Sequence, residues 1–324
     1  MNRQIHLVRY PQGSPSVDDF AEVAAPMPVA EDGELLVGVA CLGLDPFPRL
    51  RMRADSRVGP PLPLNQTVEG RGVGTVLASN HPDFAPGDAV AADTGWQQFA
   101  VVPAASVQRL NLALGPLERH LSTLGPSGLT AYFTTRAIAL APGKTLAIAP
   151  AAGSVGVIAG QLARAAGARV IGLVASEAQA RFLTETLGFD LALTDPAAIE
   201  EPVHAFIDGV GGALHDAVVA RLALHARIVL LGFIAGYNDA TPPVYGTALP
   251  ILFKRATVSG FLLADHAADF AAARAELARM LDDGRLQPVE TIHHGLSATP
   301  AAFAALFGEA DPGKQIVCLE TPGV

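Results

Sequence analysis

In the stretch "APAAGSVG" (Ala149–Gly156), two glycines follow an apolar run, "TLAIAPA", and precede "GVIAGQLARAAG". The run reads as a short buried strand and the later segment as a helix. Gly153, lacking a Cβ, lets the backbone turn and come close to a ligand. Gly156 removes bulk where the helix packs back on the strand. The free amides and positive dipole end of a helix N-terminus suit a pyrophosphate. Alone, such a pair is equally a tight turn. At the first strand–helix junction of a βαβ unit it points to a bound dinucleotide.

Downstream, strand-like and helical segments alternate: "RVIGLVAS", "EAQARFLTETLG", "LALTD", "AFIDGVGG", "RIVLLGFI", "TVSGFLLAD", "AADFAAARAELARMLDDG". That alternation predicts an α/β fold with a doubly wound parallel sheet. Upstream, from Arg3 to about Pro103, short apolar runs broken by Pro and Gly predict an all-β, barrel-like unit. The tail, "VETIHHGLSATPAAFAALFGEADPGKQIVCLE", reads as strands around a helix that return to the first unit. The resulting boundaries are 1–120, 121–286 and 287–324.

Composition excludes several classes. Half of the 324 residues are apolar and 16% are charged, which describes a folded globular chain. The net charge of −9 argues against nucleic acid or an anionic membrane as partner. No apolar stretch is long enough to span a bilayer, and "MNRQIHLVRYPQGSP" lacks a secretory core; a cytoplasmic protein is expected. Two cysteines, Cys41 and Cys318, are too few for a disulfide framework or a four-cysteine zinc lobe. His293 and His294 are adjacent on a predicted strand and point to opposite faces, so no metal site is expected. "APGKT" (Ala141–Thr145) precedes its strand and lacks the first glycine of a phosphate loop.

The second strand ends at Ala175-Ser176 with no acid for a ribose 2′-hydroxyl, and Arg181 follows within two helical turns. This favours a 2′-phosphate and hence NADPH, against the simpler reading that Ser176 caps the helix and Arg181 is solvated. Tyr237, in the "GFIAGYN" loop after a parallel strand, is the best side-chain donor for charge growing on a substrate oxygen. Tyr245 in "TPPVYGT" is a second candidate to line the pocket. Asp45 and Arg49 in "LDPFPRLR" read as organisers of a turn.

Several ordered motifs resemble the zinc-independent medium-chain dehydrogenase/reductases, in particular the prostaglandin and leukotriene reductases and their bacterial alkenal and curcumin reductase relatives. They are "LGLDPFPRLRM", "FAPGDAVAADTGWQQFAVV", "GPSGLTAYF", "AAGSVG", "IDGVGG", "ARIVLLGFIAGYN", "VSGFLL" and "DPGK". The resemblance implies a split GroES-like β-barrel catalytic domain around a Rossmann domain. It also implies NADPH-dependent reduction of a double bond conjugated to a carbonyl. Ala152, Gly153, Ser154 and Val155 would meet the pyrophosphate, and Ser176, Gln179 and Arg181 the adenosine half. Leu231, Gly232, Phe233, Phe261, Leu262, Leu263 and Asp311 would follow the nicotinamide half. Phe47 and Phe253 would stand near the substrate, and Tyr245 could line its pocket; apart from the resemblance, Phe47 and Trp96 suit an apolar pocket wall and the core equally. Gln179 stands where many relatives have a lysine, and Phe47 and Phe253 stand where they have tyrosines. The expected substrates are enones or alkenals. A quinone, or cofactor binding with little catalysis, is the alternative. A homodimer paired through "TVSGFLL" is the expected assembly.

Overall fold

The computed structural model describes residues 1–56, 58–239, 247–308 and 310–320. The chain divides into two units, Met1–Ser122 with Glu290–Ala310 and Lys314–Val324, and Thr123–Val289 with Asp311–Gly313.

The first unit is built of short strands, as frequent Pro and Gly breaks require. β1 (Asn2–Leu7) pairs antiparallel with β2 (Phe20–Ala25) and with β4 (Gln66–Thr67). β3 (Glu34–Gly43) pairs antiparallel with β5 (Arg71–Ser79) and β7 (Phe99–Pro103). β6 (Ala89–Asp93) and the two-residue β8 (Gln108–Arg109) extend that sheet. β3 alternates inward and outward residues along most of its length, the period-2 pattern of a strand with one face on a core.

The second unit carries the six-stranded parallel sheet that the alternation predicts. Helix α1 (Pro126–Ile138) precedes β9 (Thr145–Ala149), every residue of which is buried. Then come α2 (Gly156–Ala165), β10 (Arg169–Leu173), α3 (Glu177–Arg181) and β11 (Leu191–Leu193). β12 (Val203–Asp208), α4 (Gly212–Val219), β13 (Leu222–Leu230), α5 (Ala248–Lys254), β14 (Thr257–Gly260) and α6 (Phe270–Asp282) complete it. The strand order is β11-β10-β9-β12-β13-β14, with β9 flanked by parallel neighbours on both sides. The continuous helix expected over Glu177–Gly188 instead widens into a π turn at Phe182–Thr186. This places the Phe189 amide on the Leu183 carbonyl at 2.9 Å. β14 is an edge strand, and all four of its residues are exposed.

The tail rejoins the first unit. β15 (Glu290–His294), α7 (Thr299–Ala305) and β16 (Lys314–Cys318) form a parallel crossover, and β16 pairs antiparallel with β3. Its helix contributes Phe303, fully buried and edge-on to Trp96 at 5.2 Å and to Phe20 at 6.1 Å. Residues nearly three hundred positions apart in the chain thus share one aromatic core. Phe303→Ala would empty that core at a cost of about 3–5 kcal/mol. The measurement is thermal unfolding followed by fluorescence of Trp96, the single tryptophan of the chain. An unchanged transition would show that α7 does not hold the first unit together.

Candidate active site

Strand register brings the loops of the second unit to one edge. Asp208 pairs with Ala149 and with Leu230, and Leu230 pairs with Gly260, so β9, β12, β13 and β14 end nearly level. Beyond those ends run Ala152–Val155, Gly209–Gly212, Leu231–Phe233 and Phe261–Leu263. The strand order reverses at β9, since β10 and β11 lie to one side and β12 to β14 to the other. Ligands of open parallel sheets bind outside the carboxyl ends at such a switch point.

The loop after β9 is held very close to α2. A Cβ on Gly156 would lie 2.3 Å from the Pro150 carbonyl oxygen and 2.6 Å from that of Ala151, distances no side chain tolerates. The Ala151 amide donates to Leu173 at 2.9 Å and the Gly153 amide to Pro150 at 3.3 Å. From far along the chain, Gly313 pairs with Gly153 and donates its amide to Ala152 at 2.8 Å. Gly313 has φ +89°, and a Cβ there would meet the Val289 carbonyl oxygen at 2.2 Å, so only glycine serves. The Val157 amide donates to the Gly153 carbonyl at 3.1 Å, so α2 continues directly from this tight cradle. The cradle fits a dinucleotide pyrophosphate, with Ala152, Gly153, Ser154 and Val155 as its rim. Asp311, exposed, stands two residues before Gly313.

At the end of β10, Ser176 caps α3 and accepts from the Gln179 amide at 3.3 Å. The Gln179 side chain accepts from the Ala175 amide at 3.0 Å, so both side chains fasten this turn. Arg181 is exposed in the same helix.

At the end of β12 a buried polar group holds the next loop. One Asp208 oxygen accepts from the amides of Val210 and Gly211 at 2.8 and 2.9 Å, and the other meets His215 Nδ1 at 2.7 Å. With Nδ1 donating, His215 Nε2 accepts from Thr247 Oγ at 3.4 Å. The Gly209 and Val210 carbonyls in turn receive the Ile234 and Ala235 amides, both at 3.1 Å, which fixes the segment after β13. Sequence reasoning missed Asp208, His215 and Gly313. An aspartate before glycine at a strand end was the available signal for the first of them.

Tyr237 follows that segment and is only 8% exposed. Its phenol lies over Gly232, where a Cβ would come within 3.0 Å of the hydroxyl, and the Phe233 amide donates to it. Burial pushes the phenol above its ordinary range, more than that amide lowers it, so the hydroxyl keeps its proton at neutral pH. Phe261 stacks on His266, which stacks on Phe133, while Leu262 is 71% exposed. Leu231, Gly232 and Leu263 are half-buried.

Phe47, 51% exposed, opens a 3-10 turn of the first unit, and Phe253, 69% exposed, lies on α5 of the second. Trp96 is 1% exposed and fills the aromatic core, so it presents no wall to a ligand; its size and the packing of Phe20 and Phe303 draw it inward. Tyr245 lies outside the described residues. Asp45 pairs with Lys314, and buried Arg49 donates to the carbonyls of Gly13 and Met52, which organises the loop as its sequence suggests. Among the described residues no three His, Cys, Asp or Glu side chains gather to hold a metal ion.

The fold and this cradle define a medium-chain dehydrogenase/reductase, and the chain belongs to that family, in its prostaglandin, alkenal and curcumin reductase group. Residues 3–110 match the family described as N-terminal domain of oxidoreductase, and residues 154–279 the one described as zinc-binding dehydrogenase. The NADPH-dependent curcumin reductase of Escherichia coli is 30% identical, over 98% of this chain and 96% of its own. The NADP(+)-dependent 2-alkenal reductase of Nicotiana tabacum is 29% identical over 98% and 97%. The crystal structure of CurA from Vibrio vulnificus in complex with NADPH has a TM-score of 0.92 and 31% identity, over 99% of this chain and all of that one. Escherichia coli quinone oxidoreductase, at 19% identity and a TM-score of 0.76, shares the fold.

Gly156→Ala would force the loop off α2 and weaken dinucleotide binding by tenfold or more, on the order of 1.4 kcal/mol. Fluorescence titration with NADPH measures this; undiminished affinity would mean that the cradle is not the pyrophosphate site.

Proposed function

We propose that this protein reduces the carbon–carbon double bond of α,β-unsaturated ketones and aldehydes with NADPH, and that Tyr237 donates to the substrate oxygen. Membership in a group whose relatives are named for alkenal and curcumin reduction, across nearly the whole chain, carries this reading. The protein's class is an NADP-dependent oxidoreductase of that group.

Bound NADPH would supply the hydride for the β-carbon. Ala152 to Val155 and the start of α2 would hold its pyrophosphate through backbone amides and the helix dipole. Ser176 and Gln179 fasten the turn on which Arg181 would meet the 2′-phosphate as a charged donor. Leu231 to Phe233 and Phe261 to Leu263 would supply an apolar bed for the nicotinamide half, with Asp311 near its carboxamide. Asp208 and His215 position the Gly209–Gly212 loop from beneath. As the double bond is reduced, negative charge gathers on the carbonyl oxygen, and a neutral phenol kept protonated by burial stabilises it there. No strong acid is needed, because the α-carbon can take its proton from water afterwards. Phe253 on α5 would present an apolar ring to the substrate.

The deciding experiment is NADPH oxidation by the purified protein with a medium-chain enone and, separately, a small quinone. The saturated ketone is the expected product. A preference for the quinone would overturn the substrate assignment, and binding without turnover would overturn catalysis. Tyr237→Phe should lower kcat on the enone by about 10–100-fold, the range of general acid–base assistance and oxyanion donors, while leaving NADPH affinity intact. Because burial raises the phenol pKa, wild-type kcat should show no loss from its ionisation below its ordinary pKa of about 10. Arg181→Ala should weaken NADPH about tenfold and leave NADH unchanged, as loss of one charge-assisted contact would; an equal effect on both would remove Arg181 from the phosphate site.

A further inference from the structure

The chain's two cysteines, 277 positions apart in sequence, face each other across one strand pair. Cys318 of β16 is the register partner of Cys41 of β3. The flanking bonds, Leu319 amide to Ala40 carbonyl at 2.8 Å and Leu44 amide to Gln315 carbonyl at 3.0 Å, identify the kind of pair. In an antiparallel ladder hydrogen-bonded and non-hydrogen-bonded pairs alternate, so Leu42–Val317 is hydrogen-bonded and Cys41–Cys318 is not. Non-hydrogen-bonded partners hold their Cα atoms at about 4.5 Å, with side chains on the same face. A disulfide bridges Cα atoms at roughly 4.4–6.8 Å, so this type of pair brings the two thiols within reach of one. Both thiols are reduced here and sit in one apolar cluster with Val73, Leu121 and Ile316. Cys41 is buried, whereas Cys318 is partly open to solvent.

We propose that Cys41 and Cys318 form a reversible, peroxide-sensitive disulfide that staples the returning strand β16 to β3. The asymmetry of the pair assigns the order of events. Cys41 donates its S–H to the Cys318 sulfur, which holds the Cys318 thiol below its ordinary range, while the Cys41 thiol is pushed far up by that bond and by burial. Burial, then Glu118 and Glu290, oppose the lowering at Cys318 and do not cancel it. The Cys318 thiolate therefore attacks a hydroperoxide. An S–O bond forms, the O–O bond breaks, and an alcohol or water leaves, giving the sulfenic acid. Cys41 then attacks that sulfur; the S–S bond forms, the S–O bond breaks, and water leaves with the Cys41 proton. Two thiols lose two electrons to one hydroperoxide, and a dithiol reductant returns them. A cross-strand bridge at the short end of the allowed Cα range is a reducible one. Through Asp45, which pairs with Lys314 at the base of the same strand, the staple would tighten the base of the loop that carries Phe47.

Purified full-length protein would be treated with hydrogen peroxide, then denatured for thiol titration and intact mass measurement. Both thiols should disappear with loss of two hydrogens. The chain should stay free of intermolecular cross-links, one peptide pair should contain Cys41 and Cys318, and dithiothreitol should restore both thiols. Cys41→Ser should stop at a sulfenic acid on Cys318 that dimedone traps, at least tenfold more than in the wild type. Two surviving thiols, an oxygen adduct on Cys318 without a cross-link in the wild type, or a bridge between two chains would each overturn the proposal.

Discussion

The contact between the turn after β9 and the first residue of α2 fixes the geometry of the loop edge of the dinucleotide-binding unit. Two carbonyl oxygens, of Pro150 and Ala151, occupy the space a side chain at Gly156 would need. That closeness brings the α2 N-terminus over the end of β9, so its partial positive charge acts where a pyrophosphate would lie. Gly313 closes the same turn from another part of the chain, with a backbone conformation open to glycine alone. On the function proposed above, backbone amides of this turn and the helix dipole would hold the pyrophosphate.

Around that turn, register converts four separate loops into one surface. Parallel strands whose last residues pair directly must deliver their loops to the same edge, whatever those loops contain. Asp208 then fastens one loop from below, with both carboxylate oxygens occupied by amides and by His215. Buried charge is tolerable only when paired in this way. Its satisfaction here gives the Gly209–Gly212 loop, and through it the residues before Tyr237, a single position. Burial that keeps Tyr237 neutral has the same origin: a phenol over the Gly232 backbone is shielded from the water a phenolate would need.

The first unit depends on a different contact, the three-ring core of Phe20, Trp96 and Phe303. Phe303 comes from the tail, so this unit forms its core only after the dinucleotide unit has been traversed by the chain. The pairing of β16 with β3 that completes it also sets Cys318 opposite Cys41.

Local pattern alone determined a good deal of this protein. Alternating strand and helix periods announced the parallel sheet, "APAAGSVG" announced the tight turn between its first strand and helix, and Pro and Gly breaks announced the short strands before Pro103. These features arise from neighbours in sequence, where hydrogen bonding and side-chain period are set within a few residues. Ordered motifs pointed to the family, because several of them recur in the same sequence order. Tertiary structure decided the rest. Trp96 looked equally suited to a pocket and a core, and only the arrival of Phe303 places it inside. Gly313 carries no local signal of its partner Ala152, since its role depends on chain segments brought together by folding. Cys41 and Cys318 looked like two unrelated thiols for the same reason: register between β3 and β16, set by long-range strand pairing, is what makes them neighbours.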